Sequence, residues 1–176
     1  MVTLSKKVCL LGDFAVGKTS LVRRFVYDLF EDKYVSTIGV KVSRKTVVLA
    51  GDDDIVDLTM MLWDLAGSEE FTRMRANYLR GASGALLVCD LGRPETLSSL
   101  RQYLSDLQDI NGRCAAVVAA NKVDLLAHLT PDVSAACEAE ARAMADELGV
   151  PIHFTSAIDG EKVEGAFRHL GKLLAQ

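Results

Sequence analysis

The sequence is poor in the residues that mark extracellular, metal-binding and membrane-spanning proteins. Its 176 residues include four cysteines, three histidines and one tryptophan. The cysteines stand singly, mostly within apolar runs, and the histidines show no ligand spacing. We therefore predict reduced core thiols, without disulfides or a cysteine or histidine metal site. No apolar run approaches the roughly 20 residues that a membrane-spanning helix needs.

The ends of the chain and its charge narrow the expected location and partners. The first seven residues lack the apolar core of a signal peptide, Val2 does not permit N-myristoylation, and residues 172–176 hold no prenylatable cysteine. We expect a cytoplasmic protein without a visible membrane anchor, which would reach a membrane only through a partner or a missing tail. A net charge of -4 argues against nucleic-acid binding.

What the sequence does have is the composition of a globular domain, with 49% hydrophobic and 25% charged residues. We predict one domain over residues 1–176. Six strand-like runs alternate with helical patterns, and residues 85–89 and 115–120 are continuously apolar, as expected for central parallel strands. This order predicts an α/β fold of three layers. A six-stranded, mostly parallel sheet with one antiparallel edge strand would carry helices on both faces.

A glycine-rich stretch, residues 12–19, fits the pattern G-x-x-x-x-G-K-[ST]. It follows an apolar run and opens a helical pattern. Gly12 and Gly17 allow a tight turn whose backbone N–H groups bind a polyphosphate. Lys18 adds a point charge, and Thr19 offers a hydroxyl to Mg²⁺. An ordinary strand-to-helix turn is the alternative, but the context favours a phosphate loop and thus the fold of the P-loop NTPases.

A second stretch, N-K-V-D, ends an apolar strand and indicates guanine. The carboxylate of Asp124 can accept hydrogen bonds from N1–H and the N2 amino group, a donor pair that adenine lacks. Asn121 can bind the Hoogsteen edge and brace the loop, while the stem of Lys122 packs over the ring. The T-S-A stretch after the last strand places the Ala157 N–H near the guanine O6. A polar turn at a strand end is the alternative for N-K-V-D alone.

Two further stretches predict a Mg²⁺ site. In residues 63–67, Asp64 ends a strand, where it can bind a Mg²⁺-coordinated water, and Gly67 permits its N–H to reach the terminal phosphate. In residues 34–39, Thr37 is a conditional Mg²⁺ ligand. The predicted metal-binding residues are Thr19, Thr37 and Asp64.

These five motifs, in this order and at this spacing, resemble the Ras-like small GTPases across nearly the whole chain, and residues 77–82 and 38–40 are most similar to the Rab branch. The resemblance implies a switch that binds GTP or GDP with Mg²⁺ and hydrolyses GTP. Its loops at about 30–39 and 67–78 would be held by the γ-phosphate and released after hydrolysis. Phe30 would stack on the guanine, with helix-end packing as the alternative. The implied partners of this monomer are an effector in the GTP state, an exchange factor and a GTPase-activating protein.

The chain departs from the family pattern where catalysis is expected. Ser68 stands where the family has its water-orienting glutamine, and serine is too short to span between a water and the γ-phosphate. Phe14 replaces a small residue, so that its ring would crowd the γ-phosphate and an incoming arginine. Val35, two residues before Thr37, is not the cis arginine of the Gα class. We therefore predict very slow intrinsic hydrolysis, with a partner's arginine worth ~10³–10⁵ in rate.

Two other functions fit parts of the pattern. A module that holds GTP or GDP without turnover fits Phe14 and Ser68, but it would not need Thr37. A nucleoside-phosphate kinase would need further basic residues and a lid, and neither is evident. The candidate catalytic residues are Lys18, Thr37, Gly67 and Ser68. The candidate nucleotide-binding residues are Asp13, Phe14, Ala15, Val16, Gly17, Lys18, Thr19, Ser20, Phe30, Tyr34, Thr37, Gly67, Asn121, Lys122, Asp124, Ser156, Ala157 and Ile158.

Overall fold

Strands and helices alternate in the order that the sequence predicts. The computed structural model describes residues 2–33, 35–51, 54–67 and 72–176. The strands in this part of the chain are β1 (Val2–Leu11), β2 (Val40–Ala50), β3 (Ile55–Leu65), β4 (Gly84–Asp90), β5 (Ala115–Asn121) and β6 (Ile152–Thr155). The helices are α1 (Lys18–Tyr27), α2 (Thr72–Leu79), α3 (Pro94–Ser98), α4 (Leu100–Asn111), α5 (Pro131–Leu148) and α6 (Val163–Ala175), and a 3₁₀ helix covers Val123–His128.

The strands form one sheet in the order β2-β3-β1-β4-β5-β6. β2 pairs antiparallel with β3, and the other neighbouring pairs are parallel. The prediction of a mostly parallel, six-stranded sheet with one antiparallel edge strand is therefore confirmed. Because β3 and β4 lie on opposite sides of β1, the chain leaves the carboxyl end of β1 at a switch in strand order. Ligands of open α/β sheets bind at such a point.

Two apolar clusters cover the two faces of the sheet. On one face α1 and α6 meet through Phe25 and Phe167, whose stacked rings have centroids 4.1 Å apart. On the other face, Leu79 of α2, Leu107 of α4 and Ala145 of α5 lie in the second cluster. β4 is buried along its whole length, because helices cover it on both sides. The predicted three layers are present.

The apolar pattern of the sequence predicts a first strand at roughly residues 7–11 and a single helical stripe from Pro94 to Leu107, and the structure differs at both. β1 begins at Val2 rather than near Lys7, because the long strand β3 offers backbone partners to its first residues, starting with Val56. The helical stripe that begins at Pro94 divides into α3 and α4 at Ser99. This division brings the Ser99 hydroxyl towards the phosphate loop.

Candidate nucleotide-binding site

The predicted site lies at the carboxyl edge of the sheet, where buried polar residues end neighbouring strands. Asp90 of β4 is in register with Asn121 of β5, which is in register with Thr155 of β6. Asp64 lies near the end of β3 and pairs with β1. All four side chains are buried. Because buried polar groups cost free energy unless they are hydrogen-bonded, their partners define what the site can bind.

The phosphate loop turns sharply at Gly17, just before α1 begins. Gly17 has φ 104°, a left-handed conformation that favours glycine. A Cβ atom on Gly17 would lie 2.3 Å from Nδ2 of Asn121, so the loop and the base-binding stretch approach as closely as glycine allows. Because α1 begins at Lys18, the positive end of its dipole lies at the loop. This geometry suits a bound phosphate.

Lys18 is only 7% exposed, and its ammonium group lies within the loop. Nζ donates to the backbone carbonyls of Gly12, at 2.7 Å, and Asp13, at 2.8 Å. Burial lowers the pKa of Lys18 to about 8, although the nearby carboxylate of Asp64 raises it. The ammonium group thus lies in a site where its charge is poorly solvated. A phosphate beside it would supply the opposite charge.

Three side-chain oxygens converge next to Lys18. Oγ1 of Thr19 lies 2.7 Å from Oγ1 of Thr37 and donates to Oδ2 of Asp64. Burial raises the pKa of Asp64, while the hydroxyl of Thr19 lowers it. Oδ1 of Asp64 is buried and has no hydrogen-bond partner among the described residues. An orphaned carboxylate oxygen in a set of hard oxygen donors fits Mg²⁺, which prefers such ligands.

The N-K-V-D stretch is hydrogen-bonded directly to the phosphate loop. Nδ2 of Asn121 donates to the carbonyl of Val16 at 2.9 Å, and its Oδ1 accepts from the hydroxyl of Thr155 at 3.1 Å. Lys122 has a left-handed backbone, with φ 66°, and its Nζ donates to the carbonyl of Ala15 at 2.9 Å. Of the two roles that the sequence suggests for Asn121, the structure displays the bracing of the loop.

Asp124 and Ala157 lie at the base end of the site. Oδ1 of Asp124 accepts from the hydroxyl of Ser156 at 2.8 Å, which fixes the orientation of the carboxylate. Nε of Arg24 donates to the carbonyl of Ala157 at 2.9 Å and ties the T-S-A stretch to α1. A carboxylate fixed in this way can accept two parallel hydrogen bonds, which is the chemistry that guanine requires.

A cavity of about 240 Å³ connects the residues that are predicted to bind phosphate, metal and base. Predicted nucleotide-binding residues that line it are Phe14, Ala15, Gly17, Lys18, Thr19, Ser20, Phe30, Thr37, Gly67, Asn121, Lys122, Asp124, Ala157 and Ile158. Asp13, Val16 and Ser156 do not line the cavity. They support the site through their hydrogen bonds. The predictions for Tyr34 and Ser68 concern residues that lie outside the described ones.

Phe14 and Gly67 meet at the phosphate end of the cavity. The ring of Phe14 is half exposed, and the residue lines the cavity wall. A Cβ atom on Gly67 would lie 2.6 Å from the backbone N of Phe14, so the end of β3 packs tightly against the phosphate loop. The position of Phe14 agrees with the predicted crowding of the γ-phosphate, which stays a prediction.

Phe30 lines the cavity and is also half-buried against the core. Both of its alternatives, stacking on a base and packing at the helix end, are therefore compatible with its position. The neighbouring residues 31–33 and Arg23 line the cavity as well, and the sequence analysis missed them. No motif marks residues 31–33, which are exposed, or Arg23, which is partly buried, because their contribution depends on where the loop lies.

The groups that orient the Asp13 side chain were not predicted from the sequence. The Asp13 carboxylate accepts from the hydroxyl of Ser99 at 2.7 Å and from that of Tyr103 at 2.9 Å. The side chain is thus directed at α4, so that only its backbone is available to a phosphate. Asp90 was not predicted as a site residue either, although an acidic residue closes the continuous apolar run of β4 there.

The fold and this cavity define a nucleotide-binding protein of the phosphate-loop class. The family model described as "Ras family" matches residues 7–176. The chain is 35% identical over 162 residues to Ras-related protein RABD1 of Arabidopsis thaliana, covering 92% of this chain and 75% of that protein. It is 37% identical over 165 residues to Ras-related protein RABA5b of the same plant, covering 92% and 70%. It is 35% identical over 162 residues to GTP-binding protein YPTM1 of Zea mays, covering 92% and 74%.

The chain therefore belongs to the Ras family of small GTPases, and it binds guanine nucleotide as that family does. The resemblance to Rab-type members that the motifs suggest is confirmed. Cys9 and Cys89 are buried in the core, while Cys114 and Cys137 are only partly buried, and burial raises the pKa of both Cys9 and Cys89 to about 12. In the described part of the chain, no helix is both long and apolar enough to span a bilayer.

Proposed function

We propose that this protein is a guanine-nucleotide switch whose cavity holds GTP or GDP with Mg²⁺ and whose GTP hydrolysis is slow. The segments at about 30–39 and 67–78 respond to the nucleotide and present a surface to an effector. The contact between Thr19 and Thr37 carries the proposal. It joins the fixed phosphate loop to a segment that can move, at the oxygen cluster beside the phosphate end of the cavity.

Different residues bind different parts of the nucleotide and the metal. Asp124 and the Ala157 N–H recognise the guanine, while the loop N–H groups and Lys18 hold the phosphates. Thr19 and Thr37 would hold Mg²⁺ directly, and Asp64 would do so through a water. The bound metal supplies positive charge that neutralises the phosphates. These groups lie at or beside one cavity.

Hydrolysis transfers the γ-phosphoryl group of GTP to water and releases GDP and phosphate. Lys18 and the Gly67 N–H stabilise the charge that the transferred group carries. Ser68 does not orient the water, because its side chain is too short. Phe14 narrows the phosphate end of the cavity. We therefore expect the reaction to depend on an arginine, and on a water-orienting group, from an activating protein.

The partner surface surrounds the first switch segment. Ile38 is 93% exposed, and Val35 and Val42, close to it in the chain, are exposed apolar side chains as well. Exposed apolar side chains near one another are typical of a protein-binding surface. We propose that this surface binds an effector in the GTP state, and that the protein acts as a cytoplasmic, single-domain monomer with an exchange factor and an activating protein.

The test is to identify the bound nucleotide and then to measure its turnover. Chromatography of the purified protein should give GDP or GTP, and single-turnover phosphate release should be slow. The variant Ser68→Gln should raise the rate about 10-fold or more, since a positioned group typically contributes 10²–10⁴-fold and Phe14 still crowds the site. Ser105→Gln, on the exposed side of α4, is the matched control and should change nothing.

If Ser68→Gln does not raise the rate of GTP hydrolysis above that of the wild type, the explanation of slow hydrolysis is wrong. The second candidate, a module that holds GTP without turnover, is favoured by the same Phe14 and Ser68. It predicts no phosphate release over hours from either protein, and no change between the GDP and GTP forms in the fluorescence of Trp63. Purification with ATP, or without any nucleotide, would exclude both candidates.

A further inference from the structure

The turn after β4 contains an arginine that binds the phosphate loop from outside the cavity. Nη2 of Arg93 donates to the carbonyl of Phe14 at 2.7 Å, and its Nε donates to Oδ2 of Asp90 at 3.1 Å. The same Oδ2 accepts from Nζ of Lys122 at 2.6 Å, and Lys122 in turn donates to the carbonyl of Ala15. One buried carboxylate therefore orients two cations, each of which holds a neighbouring carbonyl of the phosphate loop.

The Asp90 carboxylate remains ionised in this arrangement. Burial raises its pKa, but hydrogen bonds from Lys122, the Gly92 N–H and Arg93 outweigh that effect and leave the pKa below its ordinary value. Hydrogen bonds in which donor and acceptor are both charged are shorter and stronger than neutral ones. The link between the two cations is thus maintained at neutral pH.

The turn that carries Arg93 is itself tightly fixed. The Gly92 N–H donates to Oδ1 of Asp90 at 2.8 Å, and the Arg93 N–H donates to the Asp90 carbonyl at 2.9 Å. The hydroxyl of Thr96 donates to the Arg93 carbonyl at 2.7 Å and accepts from the Asp90 N–H at 2.9 Å. Pro94 then begins α3. Little freedom of the backbone is left, so the arginine is held in place before any ligand arrives.

The carbonyl that Arg93 binds belongs to the loop whose N–H groups face the phosphates. A peptide unit has its C=O and N–H on opposite sides, so a donor that holds the Phe14 carbonyl outward keeps the N–H of the next residue, Ala15, turned inward. The bulky Phe14 makes such a restraint useful, because its side chain competes for space at the phosphate end. The bond needs a long, planar, charged donor, which arginine provides.

We propose that Arg93, oriented by Asp90, is a positioning residue for nucleotide binding that holds the Phe14 peptide so that the phosphate loop is shaped for a polyphosphate. This inference rests on the nucleotide site proposed above. Arg93 acts from outside the cavity and touches neither phosphate nor base. It therefore slows release of GDP and GTP alike and leaves the chemical step unchanged.

The experiment measures the dissociation of a fluorescent GDP from the full chain in Mg²⁺, after addition of excess unlabelled GDP. Arg93→Ala should release it about 10-fold faster, as expected for one charge-assisted bond of a partly exposed side chain. Arg93→Lys should release GDP at a rate between those of the wild type and Arg93→Ala, because a lysine can reach only one of the two acceptors. The double variant Arg93→Ala/Asp90→Asn should release GDP more slowly than the product of the two single effects predicts.

The matched control is Arg101→Gln, which removes an arginine that pairs with Glu147 on the surface between α4 and α5. Its dissociation rate should equal that of the wild type. A non-hydrolysable GTP analogue should show the same 10-fold effect of Arg93→Ala, and the single-turnover hydrolysis rate should stay within about 2-fold. The melting temperature of the nucleotide-free variant should stay at the wild-type value, since a merely structural role would lower it.

Dissociation from Arg93→Ala within 2-fold of the wild type would overturn the inference and leave the proposed function intact. A large fall in hydrolysis with unchanged dissociation would overturn it too, because Arg93 would then act on the chemical step. A loss of melting temperature that accounts for the faster release would assign Arg93 a structural role only. Failure of the wild type to hold any guanine nucleotide would remove both the inference and the function on which it rests.

Discussion

Two regions of this molecule differ most in burial. One is the binding framework, which consists of the phosphate loop (residues 12–19) and the polar residues at the ends of the strands, and the other is the pair of switch segments at about 30–39 and 67–78. Lys18, Asn121 and Thr155 are buried and hydrogen-bonded to the phosphate loop or to one another. In the switch segments, Ile38 is almost fully exposed and Met74 is more than half exposed. Breaking the framework leaves buried polar groups unpaired, whereas moving an exposed segment costs little. We therefore expect the framework to set affinity, and the proposed switch segments to report which nucleotide is bound.

The two regions are joined by a contact between the hydroxyls of Thr19 and Thr37, 2.7 Å apart. Changes in the framework should weaken both nucleotides equally. Changes at the contact should weaken only the state that orders the switch. This distinction can be tested, and it fails if framework and switch variants prove indistinguishable.

The largest loss of nucleotide affinity is expected from Asp124→Ala in the framework. Without the carboxylate, the two donors of guanine and the Ser156 hydroxyl lose their acceptor, so the affinities for GDP and GTP should both fall by about 10³–10⁴. Titration calorimetry with each nucleotide measures this. Asp109→Ala, an exposed carboxylate on α4, is the matched control. Selective loss of one nucleotide would contradict the assignment of Asp124 to the base.

A smaller change in nucleotide affinity is expected when the pH is raised, because Lys18 loses its proton. Its pKa of about 8 in the nucleotide-free protein means that the side chain loses its proton above pH 8, whereas a bound polyphosphate favours the charged form. Nucleotide binding must then take up a proton, so affinity should fall about 10-fold per pH unit above pH 8 and stay level below it. Calorimetry in two buffers of different ionisation enthalpy measures the proton uptake. Level affinity from pH 7 to 9.5 would show that Lys18 does not titrate in this range.

The smallest effect is expected from Thr37→Ala at the contact between the regions. It removes one hydroxyl from the oxygen cluster, so the affinity for a GTP analogue should fall about 3- to 10-fold while that for GDP changes little. Competition against a fluorescent nucleotide gives both affinities. Ser36→Ala, at the exposed neighbouring position, should have no effect. An equal loss for GDP would place Thr37 in the framework instead.

Much of the candidate site could be predicted because its chemistry is local in sequence. Gly17, Lys18 and Thr19 are adjacent, and Asn121 and Asp124 lie within one short stretch. The backbone conformation and functional groups of such stretches follow from their own residues. Apolar runs likewise predicted the strands, because the burial of central strands requires them.

The supports of the site were not predictable, since each joins distant parts of the chain. Arg93 and Phe14 are 79 residues apart, and Tyr103 and Asp13 are 90 apart. These pairs form because β4 lies next to β1 in the sheet, which brings the turn after β4 and the start of α4 beside the phosphate loop. No spacing rule in the sequence specifies that approach.

The sequence by itself determined the class of ligand, because recognition of guanine and of phosphate depends on which functional groups are present. Only the tertiary structure decided how those groups are used. It assigned the Asn121 amide to the Val16 carbonyl and the Thr155 hydroxyl, and it directed the carboxylate of Asp13 away from the cavity. A side chain's partner depends on which strands and helices are neighbours, and that is a property of the folded chain.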